Sequence, residues 1–570
     1  MKEFSINIIN KFFFFILLLC ILNLTIMHIS FCYSDYLESS INTKAITDNI
    51  LGMIIDISFI YIVAYYITWK KQKTALTITY AITICWSFTN IIYSRFFHHY
   101  LSLSAMTQST TLFDWEMFKC VLSGFRYSDL IFLLSICLFV YLIKHVQPIE
   151  KIISKISIIV LLVLCIDILT YLSYCAIKPE RRYLGYLIQK IEHRHFSTHM
   201  HLCDPNFSEF RRGCIRSLLY EFALDVKGTT SLTKEQRELI NEEIRKNKKV
   251  PLKDVCNIPK NIVFIIVESY MSFTSDIKVG TKEVTPFLNS LKKDPKVYYN
   301  GKMNENVTLG ESSDGQFIYM TGLLPLRSII TISKVQNIEL NGLPKMLGVN
   351  SRMIIPTMSS MWNQKEMCTQ YSFNNLYTSS DYNMGEDNIL NDEQVFQLAM
   401  QKDNNSQQPF FSVILTMSMH QPYTTQIDKT FPISDSNISD ELACYLNACH
   451  YTDQQIKKYF DYLKRKELFE DCLIVITADH PVHSTDFNGV NKEIPLYIVN
   501  LPKEINDLMW KGKCNQIDLY STLLDLYDIK SSWRGLGNSL LSPTYTPVIY
   551  ENKWDISEWI IRGNYFSEIR

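Results

Sequence analysis

The sequence predicts an α/β protein in two parts: five N-terminal transmembrane helices, then an exported domain built on a central, mainly parallel sheet. Three observations carry this. Apolar residues crowd the first third of the 570-residue chain and charges crowd the rest. From residue 259 onward, apolar runs of strand length alternate with helix-like stretches. Three of those runs end in a carboxylate or a histidine. The formal net charge of −1 gives no electrostatic case for a nucleic-acid partner.

Five stretches meet the requirement of ~20 mainly apolar residues for crossing a bilayer: 11–33, 50–69, 74–93, 129–146 and 152–177. The first has an apolar core too long for a secretory leader, and no small-residue cleavage site follows it cleanly, so it reads as an uncleaved anchor. Lys2, KKQK at 70–73 and KHVQPIEKIISK at 144–155 carry positive charge, whereas SDYLESSINTKAITDN after the first span is mostly polar and acidic. Positive loops stay in the cytoplasm. The N-terminus is therefore expected inside and everything after residue 177 outside.

The expected domains are a five-helix membrane domain (1–177), a juxtamembrane helical linker (178–258), a catalytic domain (259–545) and a C-terminal tail (546–570). Within the linker, RRYLGYLIQKIEHRHF has the pattern of an amphipathic helix beside a membrane. LTKEQRELINEEIRKNKK has that of a solvated, charge-laced helix, and for both a connector that packs on the next domain is the better reading.

In the catalytic domain NIVFIIVES, FFSVILTMSMH, DCLIVITADH and EIPLYIVN read as buried strands, with a helix expected over YTDQQIKKYFDYLKRKELF (451–469). Continuous apolar strands separated by helices argue for a sheet covered on both faces. Functional groups of such sheets gather beyond the carboxyl ends of the strands. Glu268, His420, and Asp479 with His480 stand at three of those ends. Singly, each has a plain structural reading as a strand terminator, a structural histidine or a turn. Together they form a ligand set suited to zinc or manganese. TLGESSDGQFIYMTG (308–322) then places Ser312 and Ser313 side by side ahead of an apolar run. Serine and aspartate are good helix N-caps. A hydroxyl beside a divalent cation also loses its proton more readily, and a helix N-terminus favours phosphate, so a cap and a nucleophile are compatible here.

These motifs resemble the lipoteichoic acid synthase-like phosphoglycerol transferases of the alkaline phosphatase–sulfatase superfamily. The resemblance spans essentially the whole chain and is strongest from 259 to 545. It implies a sulfatase-like fold, with Glu268, Asp479 and His480 as metal ligands and His420 as a substrate-binding residue. Gly310–Asp314 matches the nucleophile motif Gly-x-(Thr/Ser)-Ser-Asp, which makes Ser312 the nucleophile and a further ligand. QIDLYSTLLDLYDIKSSWRGLGNSLL (516–541) resembles the closing segment of the family, where Gln-(Ile/Val)-Asp precedes a buried helix.

The chain departs from the family in two places. The usual nucleophile is threonine, and Trp-Asn-Arg is common where this chain has Trp362-Asn363-Gln364. Trp362 and Gln364 are expected at the substrate, with Gln364 lacking the bidentate phosphate contact of an arginine. Arg327 in LLPLRS offers a replacement cation, a solvated arginine being the alternative. SSDGQ lacks the Pro and Arg that sulfatases use around their modified residue, which disfavours sulfate-ester hydrolysis. His483 and Asp486 could complete a second metal site, but one divalent ion, Mn2+ or Zn2+, is expected.

The resemblance thus implies a multi-pass enzyme of the bacterial cytoplasmic membrane. It would move a phosphoglycerol head group from a phospholipid donor to an exported glycan or polymer acceptor through a covalent Ser312 intermediate. The alternatives are a phosphatidylethanolamine donor, hydrolysis of the phosphodiester, and a non-catalytic membrane-anchored scaffold.

Overall fold

In the computed structural model, the residues described are 2–32, 43–97, 99–108, 124–146, 209–211, 213–226, 231–252, 257–327, 329–382, 389–403, 407–421, 423, 431, 439–482, 487, 490–549 and 551–568. They form two compact units, Met1–Val226 and Lys227–Arg570.

The first unit holds helices α1 (Lys2–Cys32), α2 (Thr43–Ile67), α3 (Gln72–Phe97), the short α4 (Leu103–Gln108), α5 (Ile131–His145) and α6 (Cys214–Val226). Four stretches are long and apolar enough to cross a membrane: Phe12–Ser30, Ala45–Ile67, Gln72–Arg95 and Tyr127–His145. They coincide with the first four predicted spans. The count among the described residues is thus four rather than five, because 152–177 lies outside those residues, as does the predicted amphipathic helix in the linker. Lipid tails are as apolar as leucine, so packing and interhelical hydrogen bonds must join such helices. Here the Ser135 hydroxyl donates to Asn23 Oδ1 at 2.8 Å and lies 2.9 Å from Tyr80 Oη, which ties α5 to α1 and α3. Near the end of α3, Arg95 makes a bidentate pair with Asp129, both contacts at 2.7 Å.

The second unit begins with α7 (Lys234–Lys246), closed at its start by a capping box between Thr233 and Gln236. Its core is an eight-stranded sheet. The strands are β1 (Asn261–Val267), β4 (Val297–Asn304), β5 (Asn350–Ile354), β6 (Asn375–Tyr377), β7 (Phe410–Leu415), β8 (Cys472–Ala478), β9 (Ile494–Val499) and β10 (Cys514–Asn515). Their order is β10-β4-β9-β8-β1-β7-β5-β6; β2 (Lys278–Val279) and β3 (Lys282–Glu283) form a separate hairpin. All neighbours run parallel except that β9 opposes both β8 and β4. The sheet is mainly parallel, as expected, with one reversed strand. Every residue of β1, β7, β8 and β9 is buried, which is why these strands read as unbroken apolar runs.

Helices α8 (Ser312–Thr321), α9 (Asp440–Arg465), α10 (Asp518–Leu526) and α11 (Glu551–Arg562) frame the sheet. α9 starts earlier than the predicted 451–469: Ser439 caps it by accepting from Leu442 N at 3.2 Å. It ends sooner because Glu467 turns to φ 56°. The last helix is anchored rather than loose. Lys553 of α11 pairs with Glu243 of α7 at 3.6 Å, and Tyr565 Oη donates to Asn241 at 2.7 Å.

Candidate active site

β1 and β8 are adjacent and parallel, with Val267 level with Ala478, so their carboxyl ends deliver Glu268 and Asp479-His480 to one place. Glu268, Asp479 and His480 are all buried, and each offers a ligand atom within 4.8 Å of the others. The arrangement is braced from three sides. Glu268 N donates to Thr416 Oγ1 beyond β7 at 3.0 Å, and Ser269 Oγ donates to Glu268 Oε1 at 2.8 Å. Asp479 Oδ1 accepts from Ser269 N at 2.9 Å and from His480 N at 2.8 Å. His480 Nδ1 lies 2.8 Å from Pro481 O. A carbonyl only accepts, so Nδ1 carries the proton and Nε2 faces the cluster.

Ser312 enters from the opposite wall. The residue before it, Glu311, has φ 44° and ψ −118°, a backbone state that costs a non-glycine residue about 1–3 kcal/mol. That turn makes Ser312 the first residue of α8 and aims its hydroxyl inward. Ser312 Oγ lies 3.1 Å from Glu268 Oε2 and 3.1 Å from His480 Nε2. Ser312 is therefore not the cap itself, because its hydroxyl is directed at the cluster and not at the helix amides. Its neighbours hold the turn instead. Ser313 Oγ donates to Gly310 O at 2.6 Å, and Asp314 Oδ2 accepts from Thr308 N, Thr308 Oγ1 and Gly310 N at 2.8–3.0 Å.

The cluster demands positive charge. Burial, followed by the nearby Glu268 carboxylate, pushes Asp479 up to about 7. Burial opposes charge on His480, but Asp479, Glu311 and Glu268 together outweigh it and push the imidazole up to about 10. Three carboxylates thus hold a proton on an imidazole that is itself aimed into their midst. A divalent cation substitutes naturally for that proton, and two carboxylates with one histidine suit it chemically.

The remaining predicted residues divide. His420 sits in the turn after β7, exposed, with Nδ1 2.6 Å from Gln421 O; it is close enough to sense the charges of His480 and Asp479. Trp362 and Asn363 take left-handed backbone at φ 51° and 52°, leading into Gln364. Gln364 is buried, and its Nε2 donates to Gln316 Oε1 on α8 at 3.1 Å, one turn beyond Ser312. Arg327 is buried, and its guanidinium pairs with Asp555 at 2.6 Å and Glu558 at 3.4 Å on α11, so it is not a solvated side chain. His483 and Asp486 lie outside the described residues.

Sequence reasoning overlooked Glu311, Ser269, Thr416 and the role of Gln516. Gln516 Oε1 accepts from Asn306 N at 2.7 Å, while its Nε2 donates to the carbonyl of Asp479. The resemblance of QID to the closing segment of the family was the available signal. The others touch the site through contacts that no local pattern announces.

Two family models match the chain: "Lipoteichoic acid synthase N-terminal domain" over residues 1–184 and "Sulfatase" over residues 260–529. Lipoteichoic acid synthase 2 of Bacillus subtilis is 26% identical over 518 residues, covering 84% of this chain and 76% of the relative. Lipoteichoic acid synthase of Staphylococcus saprophyticus is 24% identical over 558 residues, covering 91% and 83%. Among solved structures, the integral membrane protein lipooligosaccharide phosphoethanolamine transferase A of Neisseria meningitidis aligns over 90% of this chain and 97% of its own. It does so with a TM-score of 0.50 at 11% identity, a likeness of fold. With both matched segments in order and the strand-end cluster inside the second of them, the chain belongs to the lipoteichoic acid synthase-like family of the alkaline phosphatase–sulfatase superfamily.

Proposed function

We propose that this protein is a membrane-anchored phosphoglycerol transferase that works through a covalent intermediate on Ser312. The observation that carries the reading is the Ser312 hydroxyl, 3.1 Å from both Glu268 and His480 at the carboxyl ends of adjacent parallel strands. Glu268, Asp479, His480 and Ser312 would hold one divalent ion, manganese or zinc. Such an ion, when bound, stabilises an alkoxide and offsets the negative charge of a phosphodiester.

The chain's own residues supply the rest. Ser312 Oγ bonds to the phosphorus of phosphatidylglycerol as the bond to the diacylglycerol oxygen breaks, and the serine proton passes to Glu268. His420, entering the step as imidazolium with Nδ1–H on Gln421 O, holds the departing oxygen through Nε2–H and gives it that proton. A hydroxyl of an exported glycan or polymer then gives its proton to His420 as its oxygen bonds to the phosphorus, the bond from phosphorus to Ser312 Oγ breaks, and Ser312 takes back the proton held by Glu268. Trp362 and Gln364 border the head group. The basic loop at 70–73 supports a cytoplasmic side for that end of the helices, hence an outward-facing catalytic unit in the bacterial cytoplasmic membrane.

The test is incubation of the full chain with head-group-labelled phosphatidylglycerol and manganese or zinc, read by intact mass. A phosphoglycerol adduct that disappears in Ser312→Ala, together with release of labelled head group, is expected. Head-group release undiminished in Ser312→Ala would remove the serine from the mechanism. A phosphoethanolamine adduct formed preferentially from mixed lipids would reassign the donor, and free glycerol phosphate without acceptor would make the enzyme a hydrolase.

A further inference from the structure

A membrane-spanning helix of the first unit carries an acid at an unexpected depth. Asp56 lies 11 residues inside the apolar span Ala45–Ile67, about 16 Å along the axis at 1.5 Å per residue. Counted instead from Ile50, where the unbroken apolar run begins, it is still about 9 Å in. An isolated carboxylate at that depth is expensive, and such residues pair within the protein. Asp56 pairs with a helix end. Its Oδ2 accepts from Cys214 N at 2.7 Å and its Oδ1 from Ile215 N at 3.3 Å, the first amides of α6. A carboxylate at this position satisfies orphan donors and complements the helix dipole.

The contacts on either side show a path. Asn49 Nδ2 donates to Phe210 O at 2.6 Å, and Arg211 Nε donates to Asp48 at 3.0 Å, so the approaching chain runs down the first turns of α2. It reverses at Gly213, whose φ is +90° and where a Cβ would sit 2.2 Å from Asp56 Oδ2. α6 then climbs until Glu221 accepts from the backbone of Leu103, just past the end of α3. The end of α3 and the start of α2 lie on the same side of the bilayer, because α2 and α3 are joined at 68–71 on the other.

The faces of α6 are inverted relative to a water-soluble helix. Arg216, Ser217 and Glu221 are buried, at 3%, 0% and 5% exposure, whereas Leu219 and Phe222 are 43% and 56% exposed. Water drives the opposite arrangement. Acyl chains favour this one, and the exposed apolar residues of α1 and α5, such as Leu18 and Leu134, face outward in the same way. Even an upright α6 keeps Leu219 below the membrane surface, since it climbs only about 7 Å from Cys214.

We infer that residues 209–211 and 213–226 belong to a re-entrant segment. It enters the bilayer from the Thr43 end of α2, turns at Gly213, and presents Leu219 and Phe222 to phospholipid acyl chains. This membrane contact is additional to the spanning helices and independent of the reaction catalysed.

The test uses the full chain in phospholipid nanodiscs, with the photo-crosslinking residue p-benzoylphenylalanine placed at position 219. Position 15 on α1 serves as the lipid-facing reference, and position 457, on the charged face of α9, as the aqueous one. Lipid adducts at 219 are expected within about threefold of position 15 and at least about tenfold above position 457. Adducts at the level of position 457, or crosslinks to a second copy of the chain in place of lipid, would overturn the inference. In a second measurement, Leu219→Cys is expected to resist a membrane-impermeant maleimide that labels Lys457→Cys readily. Equal labelling of the two, above the wild-type background, would count equally against it.

Discussion

Glu311 turns the backbone into a strained state, and that turn lets Ser312 begin a helix while its hydroxyl points at Glu268 and His480. Behind the reacting groups, single side chains hold the backbone that bears them. Gln516 grips Asn306 N and the carbonyl of Asp479 from full burial. Gln516→Leu keeps the volume but leaves both partners unmatched, and about 2 kcal/mol of stability should be lost. Metal affinity should fall about 10–100-fold, as it does when groups supporting a ligand are removed. Titration calorimetry with manganese and thermal melts would measure the two effects; unaltered affinity would make Gln516 a purely structural clamp. Arg327 invites the converse test. With its guanidinium bound to Asp555 and Glu558, Arg327→Met should lower stability by about 1–3 kcal/mol and leave the KM for lipid donor unchanged. A raised KM with an unchanged melting temperature would return Arg327 to the substrate.

Between elements, the decisive contact is that of α8 with the end of β8. A Cβ on Gly315 would stand 2.6 Å from Asp479 O and 2.9 Å from its Cα, so the glycine lets the nucleophile helix rest directly on the strand that bears the ligands. Backbone cannot yield there as a flexible side chain would. Gly315→Ala should therefore push Ser312 away from the cluster. The expected result is a loss of kcat of about 10²-fold or more, because a displacement near 1 Å has that effect on positioned groups. Activity at wild-type level in a protein that melts normally would show that the helix shifts without moving Ser312. The strands behind this contact were legible for a physical reason: β1, β7 and β8 are buried on both faces, so each is an apolar run ending where the ligands begin. The reversal of β9 was not legible, since a buried strand has the same composition in either direction. β4, VYYNGKMN, mixes buried and half-exposed positions and gives no such run.

For the molecule as a whole, long-range pairing limits what the sequence discloses. Ser312 could be singled out because Gly310–Asp314 is a local motif, yet the partners of Gln516 lie 37 and 210 residues away and Arg327 pairs with Asp555 across 228. Buried acids of the second unit also set a common pH response. Burial is the largest influence on each of Asp314, Asp453 and Asp518, and raises them to about 6, 7 and 6. A carboxylate raised in the folded state keeps a proton that the unfolded chain has released. The stability this confers is full below about pH 4 and lost as pH climbs through the folded values. Melting temperatures measured with chelator present should accordingly decline from pH 5 to pH 8. A rise across that window would contradict the assignment.

The seam between α7 and α11 bears on how the protein is made. Asn241 and Tyr565 are 324 residues apart, and Lys553 joins Glu243 across the same seam. A ribosome delivers α7 first and α11 last, so the first layer of this unit waits through nearly the whole of synthesis for the helix that covers it. During that interval the apolar side of α7, which includes the fully buried Ile240, lacks its cover. A stop codon at position 551, which removes residues 551–570, should leave a product that is quickly degraded, with α7 uncovered and exposed to proteases. Pulse-chase labelling would follow its lifetime against that of the full chain.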